Sequence, residues 1–275
     1  EKGKSPSSLS SALPSPNTNS KNTKKKKSYQ RIRSKAKIQD YGGTIQIGGA
    51  AFELYHYVES SAEKYTSVIN KVASKLKETA DVYAIVAPTS VGVTLPDNKK
   101  NKVNSSNQKE SIQKIYGKLN KNVTCVSLHD TLMQHRTEYI YFRTDHHWTD
   151  KGAYYAYQEF SKAKGVTPHA LSEYKTKKFG DYLGTFYTET NESKTLRQDM
   201  VKAFYPVENE KIKMTYMDEN GTRFDSSVIC DGSNYSIRLK YCAFIAGDNP
   251  LSVIKNKEKK DGSTCLVIKE SYGNA

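Results

Sequence analysis

The sequence predicts an α/β fold, and the order of its apolar segments is the main reason. From about Ile38 onward, apolar runs of strand length alternate with stretches of helical periodicity, three of each. Such alternation is typical of a parallel sheet with helices on its faces. The chain has 275 residues, which is enough for a substantial core. Residues 170 to 240 are instead rich in Tyr, Thr, Asp and Asn with short alternating stretches, which predicts an inserted antiparallel region.

The first strand, helix and strand can be placed individually. Thr44 to Ile47 is predicted as a short strand that follows the turn at Gly42 and Gly43. Residues 60 to 79 carry apolar side chains at helical spacing, which predicts a helix. Val82 to Ala87 is a continuous apolar run of strand length, and Pro88 ends it. This run predicts a buried strand.

The alternation then repeats. Residues 107 to 120 predict a second helix, and Val123 to Leu128 predicts a second buried strand. Thr149 is a good N-cap residue for a third helix that runs to Lys164. Gly165 then stands at the position where helices commonly end in a left-handed residue.

Three later segments are also predicted as strands. Lys213 to Met217 alternates within the inserted region, whereas Tyr241 to Ala246 and Thr264 to Ile268 have the composition of core strands. We expect the last two to extend the parallel sheet.

Residues 1 to 37 predict a flexible basic tether that precedes one folded domain over residues 38 to 275. The tether is rich in Ser, Pro, Asn and Lys, includes the run Lys24 to Lys27, and has few large apolar groups. Such a stretch buries too little surface to offset the entropy lost on folding. The sequence begins with Glu and shows no signal peptide, so we expect a removed N-terminal signal or anchor to be its only link to a membrane.

The net charge of +14 would suit nucleic acid, anionic lipid or an acidic wall polymer. The sequence contains no RNA-binding motif, zinc finger or helix-turn-helix, so nucleic acid is not expected as a partner. It also lacks a run of about 20 apolar residues, so no segment of it is predicted to span a membrane. A basic surface that faces an anionic envelope is the favoured interpretation.

The four cysteines do not indicate a structural zinc site, because no two of them are spaced as Cys-x-x-Cys. Cys125 and Cys265 lie in apolar runs and are predicted to be buried. Cys230 and Cys242 flank a plausible hairpin and form either a disulfide or two free thiols, because sequence alone does not show the geometry.

The segment from Tyr141 to Gly152 carries the strongest chemical motif, and it contains the only Trp of the chain. Asp145 stands two residues before His147, at the mouth of the third predicted helix. A carboxylate this close can orient an imidazole and stabilise its protonated form. This is the base half of a Ser-His-Asp apparatus, which is recognised by roles and not by sequence order. His146 is expected to make local contacts.

A candidate nucleophile, Ser271, lies far downstream. The predicted strand Thr264 to Ile268 leads into Lys-Glu-Ser-Tyr-Gly-Asn, in which Ser271 is the third residue. A Ser followed by Gly and Asn can occupy a sharp turn at the carboxyl edge of a sheet, where reacting groups gather in open α/β folds. A helix normally follows such a turn and helps to bind an oxyanion. We therefore expect the C-terminal end of the sequence to be truncated.

Together, these two blocks resemble the bacterial DHHW family of extracytoplasmic proteins. That family is similar to the SGNH-hydrolase-like domains of the alginate O-acetylation proteins. The resemblance covers the chain from about Ile38 and implies a three-layer SGNH-hydrolase-like fold, a parallel sheet with helices on both faces. It also implies acyl transfer or ester hydrolysis on a cell-surface polymer. The family pattern carries onto Asp145 and His147 as acid and base, and onto Ser271 as nucleophile.

Four further residues are candidates for substrate or oxyanion contacts. Ser90 and Asn249 each follow a predicted core strand and are candidate donors to the site, and Ser90 could instead be a plain turn residue. Arg143 either binds a substrate anion or is exposed or ion-paired. Tyr182 lies in an aromatic stretch, Gly180 to Tyr187, that either stacks on sugars or packs on the domain.

A metal site is the competing chemistry. Asp145, His146, His147 and His129 offer suitable ligands. Adjacent His residues rarely point at one ion, however, and the spacing His-Glu-x-x-His is absent from the sequence. We therefore expect neither a metal nor another cofactor.

The favoured function is an extracytoplasmic O-acyltransferase or acetylesterase acting on an exopolysaccharide or wall glycan. His147 would deprotonate Ser271 and a covalent acyl-enzyme would form. By resemblance, a membrane-bound O-acyltransferase would supply the acyl group. The alternative is a non-catalytic glycan-binding or scaffolding component of an envelope polysaccharide assembly, which the basic charge and the 20 Tyr residues favour. A distance of about 2.6 to 3.2 Å between Ser271 Oγ and the nearer ring nitrogen of His147 would favour the enzyme over the binding protein.

Overall fold

The computed structural model describes residues 35 to 275. The first element of its fold is a three-stranded antiparallel sheet. Its strands are β1 (Ile38–Asp40), β2 (Thr44–Ile47) and β3 (Ala50–Glu53). All four residues of β2 are buried, because the sheet packs on both sides. Most of the predicted tether lies outside the described residues, so the domain boundary at residue 38 stays a prediction.

The remaining helices and strands follow in chain order. They are α1 (Glu59–Leu76), β4 (Val82–Ile85), α2 (Ser90–Val93), α3 (Asp97–Lys100), α4 (Gln108–Gly117), β5 (Val123–Val126), α5 (His129–Gln134), α6 (Asp150–Lys164), β6 (Thr176–Tyr182), α7 (Thr185–Glu189), β7 (Asp199–Phe204), β8 (Ile212–Met217), β9 (Arg223–Ser226) and β10 (Leu251–Asn256). Short 3-10 turns fill several of the connections. None of the helices within residues 35 to 275 combines the length and the apolar composition needed to cross a bilayer.

Strands β4 and β5 form the parallel element that the alternation predicts. They pair from Val82 opposite Val123 to Ile85 opposite Val126. Helix α1 precedes β4 in the chain, α4 precedes β5, and the two helices contact each other. Ala73 of α1 and Ala84 of β4 pack together with Val123 in one buried cluster. The mixed α/β class is therefore confirmed.

An extended parallel sheet is not found in residues 35 to 275, where the other three sheets are antiparallel. Thr264 to Ile268, predicted as a core strand, pairs with no other strand in the described part of the chain. Its Leu266 and Ile268 side chains are 84% and 89% exposed. An apolar run predicts burial but does not specify a pairing partner, and here the run has none.

The second predicted core strand, Tyr241 to Ala246, is also wrong. It begins within a 3-10 turn, Lys240–Ala243, and Ile245 and Ala246 have φ angles of 43° and 59°. Residues in the left-handed region cannot continue an extended strand. Antiparallel pairing dominates instead: β6 to β9 lie within the predicted insertion, and β10 pairs with β8 beyond its predicted end.

Helix α6 is formed as its capping signals predict. Thr149 accepts a hydrogen bond from the Gly152 amide, and Gly165 ends the helix with a φ of 73°. The main core forms against this helix, and Trp148 is only 6% exposed there. Its other large buried members include Leu128, Leu132, Ile140, Tyr154 and Tyr155. The loop before α6, which holds Asp145 and His147, is thereby anchored on the core.

All four cysteines are free thiols. Cys125 and Cys265 are exposed, so the prediction that they are buried is wrong. Cys125 lies within β5, and Cys265 lies in the unpaired run that follows β10. The Cys230 amide donates to the Ala243 carbonyl at 2.8 Å, so the segments that hold Cys230 and Cys242 are adjacent, although their sulfurs are not bonded.

Candidate active site

Asp145, His147 and Ser271 form one continuous chain of hydrogen bonds. His147 Nε2 lies 2.8 Å from Ser271 Oγ, and His147 Nδ1 lies 2.6 Å from Asp145 Oδ1. Asp145 is 1% exposed and His147 is 6% exposed. The structure thus brings together the three residues to which the sequence assigns roles, although Ser271 lies 124 positions from His147.

The loop from Tyr141 to Trp148 holds Asp145 next to His147. Tyr141 and Trp148 face each other across this loop in an isolated antiparallel bridge, and the Phe142 amide donates to the His147 carbonyl at 3.2 Å. At the tip, Asp145 Oδ1 accepts the His147 backbone amide at 3.0 Å as well as the imidazole. Asp commonly closes such turns on the amide two residues ahead. The spacing Asp-x-His therefore suits this local geometry.

The second carboxylate oxygen of Asp145 is held by a different part of the chain. Oδ2 accepts the Tyr182 hydroxyl at 2.9 Å and the Thr185 amide at 3.0 Å. Burial opposes the negative charge, but the hydrogen bond and charge of His147 outweigh it and hold the pKa of Asp145 well below its usual range. Asp145 is therefore an ionised carboxylate at neutral pH, and it can stabilise a positive charge on His147.

Tyr182 is placed beneath the site and not on a surface that a sugar could reach. Its side chain is 3% exposed, and burial together with the Asp145 charge raises the pKa of its hydroxyl. The hydroxyl therefore stays protonated and donates to Asp145. In this structure Tyr182 orients the acid.

Tyr182→Phe is expected to lower the free energy of unfolding by about 1.5–3 kcal/mol at neutral pH, because it removes a buried hydrogen bond to a charged group. The folded pKa of Asp145 is depressed, so this stabilisation is present above the unfolded value of about 3.9 and declines as pH falls below it. Urea unfolding at pH 7 and near pH 3 measures both effects.

Tyr154→Phe is the matched control. Tyr154 is also buried, but its hydroxyl donates to an uncharged acceptor, the backbone carbonyl of His169, at 3.0 Å. Removing this hydroxyl should therefore lower the free energy of unfolding by less, about 1 kcal/mol, and the loss should be the same at pH 7 and near pH 3. Equal and pH-independent losses in the two variants would contradict the role assigned to Tyr182.

Ser271 begins a 3-10 turn, Ser271–Asn274, that is tied to the loop before α6. Glu270 caps the turn by accepting the Tyr272 amide at 2.8 Å. The Trp148 indole donates to the Tyr272 carbonyl at 2.8 Å, and the Tyr272 hydroxyl donates to the His146 carbonyl. The single Trp of the chain thus joins the two halves of the site.

Tyr241 is a residue of this site that the sequence does not reveal. Its ring stacks on His147 with centroids 4.0 Å apart and planes at 15°. Its hydroxyl donates to the Ser271 carbonyl at 3.0 Å, and burial raises its pKa, which keeps it neutral. Tyr241 therefore contacts base and nucleophile together. It falls in a run interpreted as a strand, and nothing in the local pattern indicates this role.

The other three candidates are engaged elsewhere. Ser90 is 2% exposed in the first turn of α2, and its carbonyl accepts the Thr94 amide. The Asn249 amide group donates to backbone carbonyls of its own loop, the nearest being Ile245 at 3.1 Å. Arg143 stacks over Tyr139 and pairs with a carboxylate of β7. Among the hydrogen bonds described for residues 35 to 275, none joins Ser90 or Asn249 to Ser271.

A cation would have to compete with hydrogen bonds already formed. Asp145, His146 and His147 each offer an atom within 4.8 Å of the others. Both ring nitrogens of His147 are engaged, and His146 Nδ1 lies 2.9 Å from the Thr185 hydroxyl. His129 contacts its neighbour Asp130. The donor set fits proton transfer from Ser271 better than metal ligation.

The chain is similar to several known proteins. The family described as DHHW protein matches residues 22 to 275. A DHHW family protein from Eubacterium siraeum is similar in structure, with a TM-score of 0.75 and 29% identity over 86% of this chain and 78% of that chain. No curated protein sequence matches this chain significantly.

Two more distant structures are also similar. Bacillus cereus PatB1, solved with a sulfonyl adduct, has a TM-score of 0.69 and 19% identity over 86% of this chain and 82% of that chain. At this identity the likeness shows a shared fold alone. The O-acetyltransferase domain of Pseudomonas putida AlgJ reaches a TM-score of 0.39 with 14% identity over 72% of this chain and 73% of that chain, too low to support an argument.

Proposed function

Because the chain belongs to the DHHW family, we propose that it is an extracytoplasmic serine enzyme that adds acyl groups to a cell-surface glycan or removes them. The observation that carries this proposal is the buried chain from Asp145 through His147 to Ser271, with separations of 2.6 and 2.8 Å. This is the arrangement that activates a Ser hydroxyl in unrelated hydrolase folds.

The geometry supports a two-step acyl transfer. Ser271 Oγ attacks the carbonyl carbon of an acyl donor while its proton passes to His147 Nε2, and the Asp145 carboxylate stabilises the imidazolium. His147 then returns the proton to the leaving alcohol, and an acyl ester remains on Ser271. In the second step, water or a sugar hydroxyl gives its proton to His147 and takes the acyl group. Water gives an esterase, and a sugar hydroxyl gives an acyltransferase.

The acceptor proposed is an exopolysaccharide or wall glycan, and a membrane-bound O-acyltransferase is the proposed source of acyl groups. The net charge of +14 suits attraction to an anionic envelope polymer. The sulfonyl adduct carried by Bacillus cereus PatB1 is compatible with a nucleophilic site in this fold, because sulfonyl groups are electrophiles. The 2.8 Å contact of Ser271 with His147 favours the enzyme over a glycan-binding scaffold.

Ser271→Ala is expected to lower turnover of a chromogenic acetyl ester by about 10³-fold or more, because the acyl-enzyme can no longer form. Ser263→Ala is the matched control: Ser263 is an exposed hydroxyl of the same C-terminal region and bonds only to Asp261 among the described residues. A sulfonyl fluoride should add once to the wild type and to the control, and not to Ser271→Ala, by intact mass. Wild-type turnover in the Ser271 variant would overturn the proposal.

Transfer and hydrolysis are separated by adding an acceptor. The wild-type protein is supplied with the acetyl ester and a soluble glycan fragment, and the mass of the fragment is then measured by mass spectrometry. An acetylated fragment shows transfer, and free acetate without an acetylated fragment shows hydrolysis.

A further inference from the structure

Asp199 is a buried carboxylate that neither the motif nor the chemistry accounts for. It is the first residue of β7 and is 2% exposed. In the β6–β7 ladder it stands directly opposite Tyr182, the last residue of β6. Because cross-strand partners lie side by side, the end of this hairpin presents a carboxylate and a phenol together. The phenol already holds Asp145.

The three donors to Oδ2 of Asp199 all belong to the two residues that precede Asp145. Asp199 Oδ2 accepts the Arg143 amide at 2.8 Å, the Thr144 amide at 2.7 Å and the Thr144 hydroxyl at 2.7 Å. Two consecutive peptide groups are therefore fixed on one oxygen atom. The Thr144 hydroxyl in turn accepts the Gly184 amide at 3.1 Å, which ties the same segment to the chain after β6.

The other oxygen of Asp199 secures the carboxylate itself. Oδ1 accepts the Tyr139 hydroxyl at 2.5 Å and Arg143 Nη1 at 3.0 Å. Burial raises the pKa of Asp199, while these donors and Thr144 act against that rise. A carboxylate with five donors and almost no exposure has one available orientation, so it can define the position of whatever it binds.

We propose that Asp199 is a positioning residue of the active site: its carboxylate fixes the Arg143–Thr144 backbone so that Asp145 lies in line with His147. Tyr182 holds the Asp145 carboxylate from the neighbouring strand. The β6–β7 hairpin thus sets both the backbone and the side chain of the acid. This inference rests on the proposed function, because a line of acid and base matters only if His147 accepts a proton.

The test compares Asp199→Ala with Asp199→Asn. The Ala variant loses the acceptor for both peptide groups, and kcat on the acetyl ester should fall about 100-fold, the size of effect that a displacement of about 1 Å at a catalytic group can produce. KM should change little, because Asp199 is buried. The Asn variant keeps an oxygen that can accept the same three donors, although its NH₂ then faces Arg143 Nη1, so it should lose clearly less of kcat than the Ala variant. Equal losses in the two variants would overturn the assignment.

Proton NMR gives a readout that a purely structural role would not move. The His147 Nδ1 proton shared with Asp145 should give a strongly deshielded resonance in the wild type and in Asp199→Asn. In Asp199→Ala it should shift or disappear, at a temperature where circular dichroism shows a folded protein. An unchanged resonance together with unchanged kcat would refute the positioning role.

Asp231→Ala is the control for loss of a carboxylate near the same hairpin. Asp231 pairs with Lys177 of β6 at 2.7 Å, but it is exposed and has no described contact with Asp145. Its removal should leave kcat and the resonance unchanged, and a change equal to that of Asp199→Ala would count against the proposal. If the wild type turns over no ester, the proposed function fails, whereas the NMR comparison still tests how Asp199 positions Asp145.

Discussion

Asp145→Asn is expected to lower kcat by about 10⁴-fold with little loss of folded structure, the size of effect known for this change in a Ser-His-Asp site. The Tyr182 hydroxyl and the Thr185 amide both donate to Oδ2, so we expect the Asn oxygen to take that position, at the cost of the hydrogen bond from the His147 backbone amide to Oδ1. The amide NH₂ then faces His147 Nδ1. Two donors cannot face each other, so the imidazole carries its proton on Nε2 and cannot accept the Ser271 proton.

The measurement is a pH–rate profile of the wild type and of Asp145→Asn on the same acetyl ester. Wild-type activity should fall in acid, because a protonated His147 cannot act as a base. Asp145 should not contribute to that fall, since its pKa is held well below its usual range. A variant rate within tenfold of wild type would argue against this mechanism. Retention of activity in chelator is the control against a metal-dependent reaction.

Gly184→Ala is the second change with a large expected effect, because the space beside Gly184 is filled by the acid. A Cβ atom there would stand 2.6 Å from the Asp145 Cγ and closer still to Oδ2. The carboxylate would have to move, which breaks its alignment with His147. We expect kcat to fall about 100-fold or more and the free energy of unfolding to drop by about 1–3 kcal/mol.

Gly117→Ala is the matched control, measured with the same ester assay and urea titration. Gly117 is exposed at the end of α4 and has nothing within 4 Å of an added Cβ atom. The change should leave kcat unchanged and stabilise the helix slightly, if at all. Wild-type kcat in Gly184→Ala would contradict this prediction, because the backbone at residue 184 would then have moved without displacing the Asp145 carboxylate.

The features that the sequence predicts well are those set by near neighbours. Helix α6 is predicted because Thr149 and Gly165 act within one turn of its ends. Asp145 and His147 are recognisable as a pair because the turn that joins them spans only two residues. Ser271 needs the family resemblance, because a turn Ser so far along the chain shows no local link to His147.

The features that the sequence does not predict depend on docking between distant segments. Asp199 meets the Arg143–Thr144 peptides only because the β6–β7 hairpin lies against the loop before α6. Tyr241 stacks on His147 because its segment turns as a 3-10 helix where the apolar pattern favours a strand. Thr264 to Ile268 shows the opposite case, in which strand composition is present without a strand to pair with. The local composition of these segments does not indicate which distant residues they contact.

The separation of 124 positions between His147 and Ser271 has a consequence for folding. Asp145 and His147 share one turn, so their contact with each other is local, whereas the β6–β7 hairpin that holds Asp145 and the turn that holds Ser271 come from later in the chain. Ser271 joins this pair only after a long loop closes, at an entropic cost that a few contacts, such as Trp148 with Tyr272, offset. Non-local contacts of this kind are slow to form in folding. The proton transfer proposed from Ser271 to His147 therefore requires the complete tertiary structure, because only that structure brings the two residues together.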